Sequence, residues 1–286
     1  MPLIECYDIG GTKIRGALIE KGKIIRSLWF RTNMNPNELI EQIKEMSKLL
    51  RIDIPSKKIA AVSIGVAGPV KNNILTEFPS LRIKKKLDIA LKLSKEIKEP
   101  IFIINDMKAA VRAELKFGIG KNIKNFYLLT FSTGIGSGLV INGKVVEGFF
   151  GEFAHDILQR LKNNHNIHWG CLCGGYGIEK IVKNRLKRDL TANDFFKLKD
   201  RKAKKIIKDV RDYNAHGIGN MLNAFSVDRI VIMGSVGLNQ FNNIIPSSNK
   251  IKKYTINRIP KIVKTKLGDN IGLLGAYVFA TEELKK

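Results

Sequence analysis

The sequence of 286 residues is poor in cysteine and lacks any long hydrophobic run. No apolar stretch approaches the roughly 18 residues that a membrane-spanning helix requires, and residues 1–6 lack the basic and then apolar pattern of a signal peptide. The three cysteines, Cys6, Cys171 and Cys173, are an odd and sparse set, as is typical of a reducing cytoplasm. We therefore expect a cytoplasmic protein with no membrane partner. The composition, 44% hydrophobic and 27% charged, is that of a globular chain with room for one large or two ordinary domains.

Acidic residues are also scarce, since 26 Asp and Glu stand against 50 Lys and Arg and give a formal charge of +24. Such an excess allows nonspecific contacts with the phosphates of nucleic acid. The alternative is a surface of solvated lysines. The sequence favours this alternative, because aromatic residues do not alternate with the basic ones as a single-strand stacking surface requires. We therefore expect no specific nucleic-acid partner.

Apolar periodicity predicts the order βββαβαβα for the first part of the chain. The predicted strands cover 3–9, 14–19, 23–30, 59–66 and 101–104. A first helix is predicted to begin at Asn35-Pro36, and two further helices are predicted to cover 88–97 and 107–117. The opening three strands recur about 120 residues later, at 126–131, 138–141 and 144–147, and a helix at 215–225 then precedes a strand at 229–233. Two matching openings predict a duplicated α/β fold.

Two glycine-rich turns lie at matching places in the two openings. The first combines Asp8, at a strand end, with glycines that can turn N–H groups toward a phosphate, and its carboxylate suits Mg²⁺. The second, at 132–138, is neither a P-loop nor a dinucleotide fingerprint, and a strand follows it. Each turn alone could be an ordinary hairpin, but the pair favours phosphate binding. The candidate phosphate residues are Asp8, Gly10, Gly11, Thr12, Lys13, Thr133, Gly134 and Gly136.

Asn105-Asp106 lies where a predicted strand ends and a helix begins. Ligands of open α/β sheets bind at this edge, and a carboxylate there can take the proton of a hydroxyl that attacks a phosphoryl group. The alternative is a helix N-cap, for which Asp is a favoured residue. The two roles are compatible, and position alone favours the cap.

Three of the four histidines, His155, His165 and His168, lie within about twenty residues of the pair Cys171 and Cys173. Thiolates and imidazoles at short spacing suit tetrahedral zinc. A Cys-x-Cys pair is less specific than two Cys-x-x-Cys pairs, and two separate thiols are the alternative. The spacing favours zinc.

Together these motifs resemble those of the ROK family (repressors, open reading frames and sugar kinases) within the actin and hexokinase superfamily. The resemblance extends over essentially the whole chain. The segments that carry it are the phosphate motif 8–13, the sugar-bordering segment 65–70, Asn105-Asp106, the turn 132–138, the sugar motif 151–155, the zinc signature 171–177, the strand and turn 231–235 and the closing segment 267–276.

The resemblance implies an ATP-dependent kinase that phosphorylates a hydroxyl of glucose or of a related hexose or N-acetylhexosamine. It implies Mg²⁺ with the ATP and a structural Zn²⁺. It assigns the general base to Asp106. It places sugar contacts at Gly68, Asn105, Asp106, Glu152, His155 and Glu179, nucleotide contacts also at Gly234 and Ser235, and zinc ligands at His155, Cys171 and Cys173.

Departures from the family pattern affect the sugar and the metal. Ser80-Leu81 stands where many hexose kinases have Asn-Leu, and Ala154 replaces a usual glycine. The third cysteine of the zinc signature is missing, so a fourth ligand must come from elsewhere. His168 is our first candidate and His165 the second. The counter-interpretation is that the metal has been lost and the cysteines remain as small buried residues.

The resemblance also implies a two-lobed actin-like ATPase (ribonuclease H-like) fold with the active site in the cleft. We expect a small lobe at 1–106, completed by a C-terminal helix at 271–286, and a large lobe at 107–270. The resemblance implies a homodimer. The alternative function is a sugar-sensing transcriptional regulator, which would carry an added N-terminal helix-turn-helix domain. A phosphate motif that begins at Asp8 leaves no room for one, and Asp106 favours the enzyme.

Overall fold

The computed structural model describes residues 2–54, 58–77, 86–148, 152–160 and 166–286. Contacts divide the chain into two compact units, the first comprising Met1–Gly118 with Asn270–Lys286 and the second Ile119–Asp269. Each unit has its own five-stranded sheet.

The first unit has a mixed sheet in which three antiparallel strands precede two parallel ones. Its strands are β1 (Leu3–Ile9), β2 (Lys13–Glu20), β3 (Lys23–Arg31), β4 (Ile59–Val66) and β7 (Ile101–Asn105), and a hairpin of β5 (Val70–Lys71) and β6 (Ile74–Leu75) lies between β4 and β7 in the chain. The order across the sheet is β3-β2-β1-β4-β7. Strands β1 and β2 are antiparallel, as are β2 and β3, whereas β4 is parallel to both β1 and β7.

The helices of this unit are α1 (Pro36–Leu50), α2 (Ile89–Leu93), α3 (Asp106–Phe117) and α11 (Ile271–Glu283). As predicted, Asn35 caps α1 and Pro36 occupies its first turn; the Asn35 side chain accepts hydrogen bonds from the N–H groups of Asn37 and Glu38. Helix α2 is shorter than the predicted helix at 88–97 and is capped by Asp88.

Helices α3 and α11 approach each other closely. A β carbon at Gly275 of α11 would lie 1.9 Å from the carbonyl oxygen of Ala109, and the Arg112 Nε donates a hydrogen bond to the Glu282 Oε2 at 2.9 Å. This contact places α3 in the first unit, whereas the sequence analysis began the second lobe at residue 107.

Strand β1 buries a charged group beneath α1. Glu5 is fully buried, and its carboxylate accepts hydrogen bonds from the Tyr7 hydroxyl and, at 2.6 Å, from the Arg51 Nε. Arg51 directly follows α1 and also reaches the Glu99 carboxylate at 2.8 Å. The buried carboxylate is therefore paired and hydrogen-bonded, as a charge in a protein interior must be.

The second unit repeats the sheet of the first. Its strands are β8 (Phe126–Phe131), β9 (Ile135–Ile141), β10 (Lys144–Val145), β13 (Arg229–Met233) and β14 (Lys261–Lys264), in the order β10-β9-β8-β13-β14. The pairings β8 with β9 and β9 with β10 are antiparallel, and β13 is parallel to both β8 and β14. Both sheets thus have the same strand order and directions, which confirms the predicted duplication.

A long insertion between β10 and β13 distinguishes the second unit. It contains the hairpin β11 (Ile157–Arg160) and β12 (Asn166–His168) and the helices α4 (Trp169–Cys173), α5 (Gly175–Leu186), α6 (Ala192–Phe195) and α7 (Arg201–Ala224); α8 (Ser235–Asn239), α9 (Phe241–Ile244) and α10 (Ser248–Ile251) follow β13. Helix α7 has 24 residues and begins well before the predicted start at 215, because Asp200 caps it through the Ala203 N–H. Within the described ranges, no helix is both long and apolar enough to cross a membrane.

Candidate active site

In the first unit, two predicted site residues, Asp8 and Asn105, lie at the same edge of the sheet. Strands β1, β4 and β7 are parallel, and the register pairs Asp8 with Gly65 and Val66 with Asn105. Asp8 and Asn105 are therefore two strand spacings apart, or about 10 Å between backbones. This is the carboxyl edge, where open α/β sheets bind their ligands.

The first glycine turn is fixed by backbone hydrogen bonds. The Gly10 N–H donates to the Lys13 oxygen at 3.0 Å, and the Thr32 hydroxyl donates to the Gly10 oxygen at 2.7 Å. The Lys13 ammonium lies 4.0 Å from the ring centre of Trp29, a cation–π contact on an exposed strand face. The turn is therefore rigid at its base, while Thr12 at its tip is exposed.

The Asp8 carboxylate lies against the first turn of α11. A β carbon at Gly272 would lie 2.5 Å from the Asp8 Oδ2 and 2.9 Å from its Oδ1, so only glycine leaves the carboxylate this position. The Arg15 Nη1 is 3.9 Å from the Oδ2, and a quarter of the Asp8 side chain is exposed. A partly exposed carboxylate beside a glycine turn is a donor set that fits Mg²⁺, which prefers carboxylate, water and phosphate oxygens.

Asn105, and not Asp106, is the N-cap of α3. Its side-chain oxygen accepts hydrogen bonds from the N–H groups of Met107 and Lys108, each at 3.1 Å. Asp106 occupies the first helical position and is half-buried; its Oδ1 accepts a hydrogen bond from the Met107 N–H at 2.8 Å and another from the Asn105 amide at 3.1 Å. The capping alternative for Asp106 is thus wrong, because the neighbouring amide fulfils that role.

The predicted sugar-bordering segment contacts this motif directly. The Asn105 side-chain amide donates a hydrogen bond to the Gly68 oxygen at 3.1 Å. Gly68 has φ +142°, and a β carbon there would lie 2.3 Å from the Glu77 oxygen, so the turn requires glycine. The predicted residues Gly68, Asn105 and Asp106 are therefore brought together, whereas Ser80 and Leu81 lie outside the described residues.

In the second unit, the second glycine turn packs against the start of α5. The Gly175 N–H donates to the Ser132 oxygen at 2.8 Å, and the Tyr176 N–H donates to the Thr133 oxygen at 3.0 Å. A β carbon at Gly174 would lie 3.0 Å from the Gly134 Cα. In the sequence, Gly174 and Gly175 directly follow the cysteines and were interpreted with them, so this contact was not predicted. Two adjacent glycines before a helix were the available signal.

The turn after β13 approaches the end of β8. Gly234 has φ +87°, and a β carbon there would lie 2.4 Å from the Phe131 oxygen. Helix α8 begins at Ser235. Gly234 therefore lies beside the strand that runs into the turn with Thr133 and Gly134. Gly136 was predicted to lie in this turn, but it belongs to β9 and pairs with Thr130, because the strand resumes at Ile135.

Glu152 and His155 lie together on an exposed 3₁₀ turn, Glu152–His155. The His155 Nε2 is 3.6 Å from the Glu152 Oε2, and their side chains are 72% and 62% exposed. Glu179 has a different partner, since its Oε1 accepts a hydrogen bond from the Ala192 N–H at the start of α6. Gly151 and His165 lie outside the described residues.

The structure does not assemble the predicted zinc site. Residues two apart on a helix are about 200° apart around its axis, so Cys171 and Cys173 of α4 point in different directions. Cys171 is exposed, whereas Cys173 is fully buried and donates a hydrogen bond to the Val210 oxygen at 3.6 Å. Burial raises the pKa of the Cys173 thiol well above its ordinary value. In the described part of the chain, no three His, Cys, Asp or Glu residues form a group that could hold a metal.

His155 and His168 are nevertheless neighbours. The His168 Nδ1 lies 2.6 Å from the His155 oxygen, and the ring centres are 5.6 Å apart. The predicted ligand set of His155, His168, Cys171 and Cys173 is therefore corrected to a contact between two histidines, with each cysteine elsewhere.

Comparisons with known proteins cover nearly the whole chain. The ROK family model matches residues 4–283. An N-acetylmannosamine kinase of Haemophilus influenzae is 27% identical over 97% of this chain and 95% of its own length.

Two solved structures show the same fold. One is a ROK family glucokinase from Streptomyces griseus in complex with glucose and AMPPNP, with a TM-score of 0.84, 20% identity and coverage of 98% of this chain and 99% of the other. The second is a ROK family transcriptional regulator, a homologue of the E. coli MLC protein, with a TM-score of 0.79, 18% identity and coverage of 98% and 78%. These likenesses confirm the predicted actin-like ATPase fold.

Proposed function

This chain belongs to the ROK family, and from this we propose that it is an ATP-dependent sugar kinase, which transfers the γ-phosphoryl group of ATP to a hydroxyl of a hexose or N-acetylhexosamine. The residues that we assign to the reaction are taken unit by unit. In the first are Asp8, the turn Gly10–Lys13, Gly68, Asn105 and Asp106, and in the second are Thr133, Gly134, Gly136, Glu152, His155, Gly234 and Ser235.

The observation that carries this proposal is that Asn105 caps α3, whereas Asp106 does not serve as the N-cap. Because Asn105 caps α3, the cap does not require the Asp106 carboxylate. That carboxylate stays half-buried at the carboxyl edge of the sheet, beside the Gly68 turn. Asp106 there accepts the proton of the attacking sugar hydroxyl and orients its oxygen, as a general base in phosphoryl transfer does. Asn105 holds Gly68 and Asp106 in a fixed relation.

The phosphate side of the reaction is assigned to the glycine turns. Gly10 closes the base of the turn through its N–H bond to the Lys13 oxygen. Gly11 and Thr12 direct N–H and hydroxyl groups at phosphate oxygens, and Lys13 adds a positive charge. Asp8 would hold Mg²⁺, which neutralises charge on the phosphates when it is bound. Thr133 and Gly134 form the second phosphate turn, with Gly136 at the start of β9, and Gly234 and Ser235 contact the nucleoside.

Glu152 and His155 are assigned to the sugar hydroxyls, since both side chains are exposed on one short turn and bear hydrogen-bonding groups. Glu179 stays a prediction, because its carboxylate already accepts the Ala192 N–H. Zinc is not part of this proposal. The homodimer, the cytoplasmic location and the absence of a specific nucleic-acid partner also stay predictions.

Two classes of sugar are the candidates that the relatives support. One relative is an N-acetylmannosamine kinase, and the solved kinase of similar fold was crystallised with glucose. An N-acetyl group at C2 is larger than a hydroxyl, so the two classes require different space beside the sugar. We therefore test both.

A regulator without catalytic activity is the second candidate, because a ROK transcriptional regulator shares the fold and the charge of +24 would suit DNA. The experiment is a coupled assay of ADP release with glucose, mannose, N-acetylmannosamine and N-acetylglucosamine, together with detection of the sugar phosphate. We expect ADP and sugar phosphate in equal amounts with at least one sugar. Binding of a sugar without turnover, together with tight sequence-dependent binding of a DNA fragment, would favour the regulator.

A further inference from the structure

The short turn that bears Glu152 and His155 has exposed side chains. Its C-terminal end nevertheless receives hydrogen bonds from the start of α4. The turn is followed at once by β11, which pairs with β12 so that Ile157 lies opposite His168. This register brings the end of β12 alongside the end of the turn. The contact between them is made by polar groups of both segments.

The first of these contacts is between His168 and the turn itself. The His168 Nδ1 lies 2.6 Å from the His155 carbonyl oxygen. A carbonyl oxygen can only accept, so the Nδ1 must carry the proton and donate. The bond fixes the carbonyl of the residue whose imidazole we assign to the sugar, and so limits the orientation of that peptide.

The second contact is a backbone hydrogen bond to the next residue. The Trp169 N–H donates to the Asp156 oxygen at 2.9 Å. Trp169 is itself immobile: its ring is fully buried, its indole N–H donates to the Asn214 Oδ1 at 2.8 Å, and a β carbon at Gly217 would lie 2.3 Å from the ring. The turn is therefore anchored on a rigid part of the second core.

Close packing makes the third contact. Ala154 is buried, and a β carbon at Gly170 of α4 would lie 3.3 Å from the Ala154 oxygen and 3.4 Å from its side chain. At the other end of α4, Gly174 lies against Gly134. Helix α4 thus supports the sugar turn with its first residues, and the residue after it supports the second phosphate turn.

We propose that His168 positions the Glu152–His155 turn for sugar binding through this hydrogen bond, in a protein that needs no zinc for the purpose. The inference rests on the proposed kinase function for its sugar. In this proposal, hydrogen bonds and packing support the Glu152–His155 turn in place of a metal ion. Cys171 and Cys173 do not support the turn, because Cys171 is exposed and the Cys173 thiol donates a hydrogen bond to the Val210 oxygen.

The experiment compares three variants with the wild type: His168→Ala, His168→Asn and Cys171→Ser. The Ala variant loses the donor, whereas the Asn amide keeps an N–H near the position of the Nδ1. A net hydrogen bond of about 1–1.5 kcal/mol corresponds to roughly a tenfold change in affinity. We expect His168→Ala to raise the KM for the sugar roughly tenfold and to leave the KM for ATP unchanged. His168→Asn should recover most of the sugar affinity, and Cys171→Ser should match the wild type.

Two measurements do not depend on kinase activity. Elemental analysis of protein purified without chelator or a His tag should give clearly less than half an equivalent of zinc per chain. Hydrogen exchange of the peptide that contains 152–156 should be faster in His168→Ala than in the wild type and in His168→Asn. If no sugar is phosphorylated but exchange and zinc content follow these expectations, the proposed function fails and the positioning role of His168 stands.

One equivalent of zinc, lost together with sugar affinity in Cys171→Ser, would overturn the proposal. Unchanged exchange and unchanged sugar KM in His168→Ala would overturn it as well. Melting temperatures are measured first. If His168→Ala does not fold, zinc content and the Cys171→Ser variant still test the absence of a metal. His168→Gln then takes the place of His168→Ala in the exchange experiment.

Discussion

Substitution of Gly272 by alanine tests whether the position of the Asp8 carboxylate matters for ATP. In the structure the added β carbon would lie 2.5 Å from the Asp8 Oδ2, whereas ordinary contacts begin at 3.4 Å. The carboxylate must therefore retreat by about 1 Å, and a misplacement of that size in an active site can reduce the rate about 100-fold. Because Asp8 is assigned to the magnesium and phosphate side of the reaction, we expect kcat/KM for ATP to fall about 100-fold.

The same substitution should not unfold the protein. Alanine is favoured over glycine inside a helix by about 1 kcal/mol, which offsets part of the strain at Asp8. The assay is ADP release as a function of ATP and Mg²⁺ concentration at saturating sugar, with thermal denaturation of the same samples. The matched control is Gly148→Ala, where a β carbon meets nothing within 4 Å and activity should be unchanged. A kcat/KM for ATP within threefold of the wild type in folded Gly272→Ala would refute the reasoning.

Other predictions concern the thiols, a buried ion pair and the surface charge. Burial raises the pKa values of the Cys6 and Cys173 thiols well above 9.0, so only the exposed Cys171 should react with a thiol reagent until the protein is unfolded. Because the folded state keeps these two protons, the free energy of unfolding should fall as the pH rises above 9.0, and a urea titration that shows equal stability at pH 8 and pH 10 would disagree. Arg51→Met leaves the buried Glu5 without its cation and should cost about 3–5 kcal/mol of stability, whereas a loss below about 1 kcal/mol in urea denaturation would contradict the pairing. Binding to DNA should be weak and vanish at moderate salt, since scattered lysines bind any polyanion; tight, sequence-dependent retention at physiological salt would show a specific site.

Features that depend on short-range chemistry could be predicted from the sequence. Strand β1 has the predicted bounds, Asn35 caps α1 as expected, and both glycine turns follow their strands. The alternation of apolar and polar residues, the capping residues and the turn residues each act within a few positions of the chain. The local sequence is therefore enough to predict these strands, helix starts and turns. The recurrence of the opening was enough to predict the duplicated sheet.

Features decided by contacts between distant residues could not be predicted. Asn105 and Asp106 are both good N-caps, and only the structure shows that Asn105 takes the role. Gly175 donates to Ser132 across more than forty residues. The adjacent glycines Gly174 and Gly175 mark a close approach of the backbone, but the sequence does not show that the second glycine turn is the partner. Glu179 likewise finds its partner, Ala192, on another helix.

The described residues do not support the zinc prediction, for a geometrical reason. Spacing in the sequence places Cys171 and Cys173 close together, but the short helix α4 turns them to different sides. The buried thiol then joins the core, and His168 donates to the turn that carries His155. Residue types that can bind a metal are present, but among the described residues the backbone does not bring three of them together.

The catalytic assignment of Asp106 is tested most directly by turnover and sugar binding of Asp106→Asn. Asparagine keeps the size of the side chain and, with Asn105 still capping α3, should keep the fold. Loss of a positioned base lowers the rate by roughly two to four orders of magnitude. We therefore expect kcat to fall by that amount with the best sugar, while calorimetric titration gives a sugar Kd within a fewfold of the wild type. Turnover like that of the wild type, with the same sugar and the same product, would contradict the assignment of Asp106 as the base.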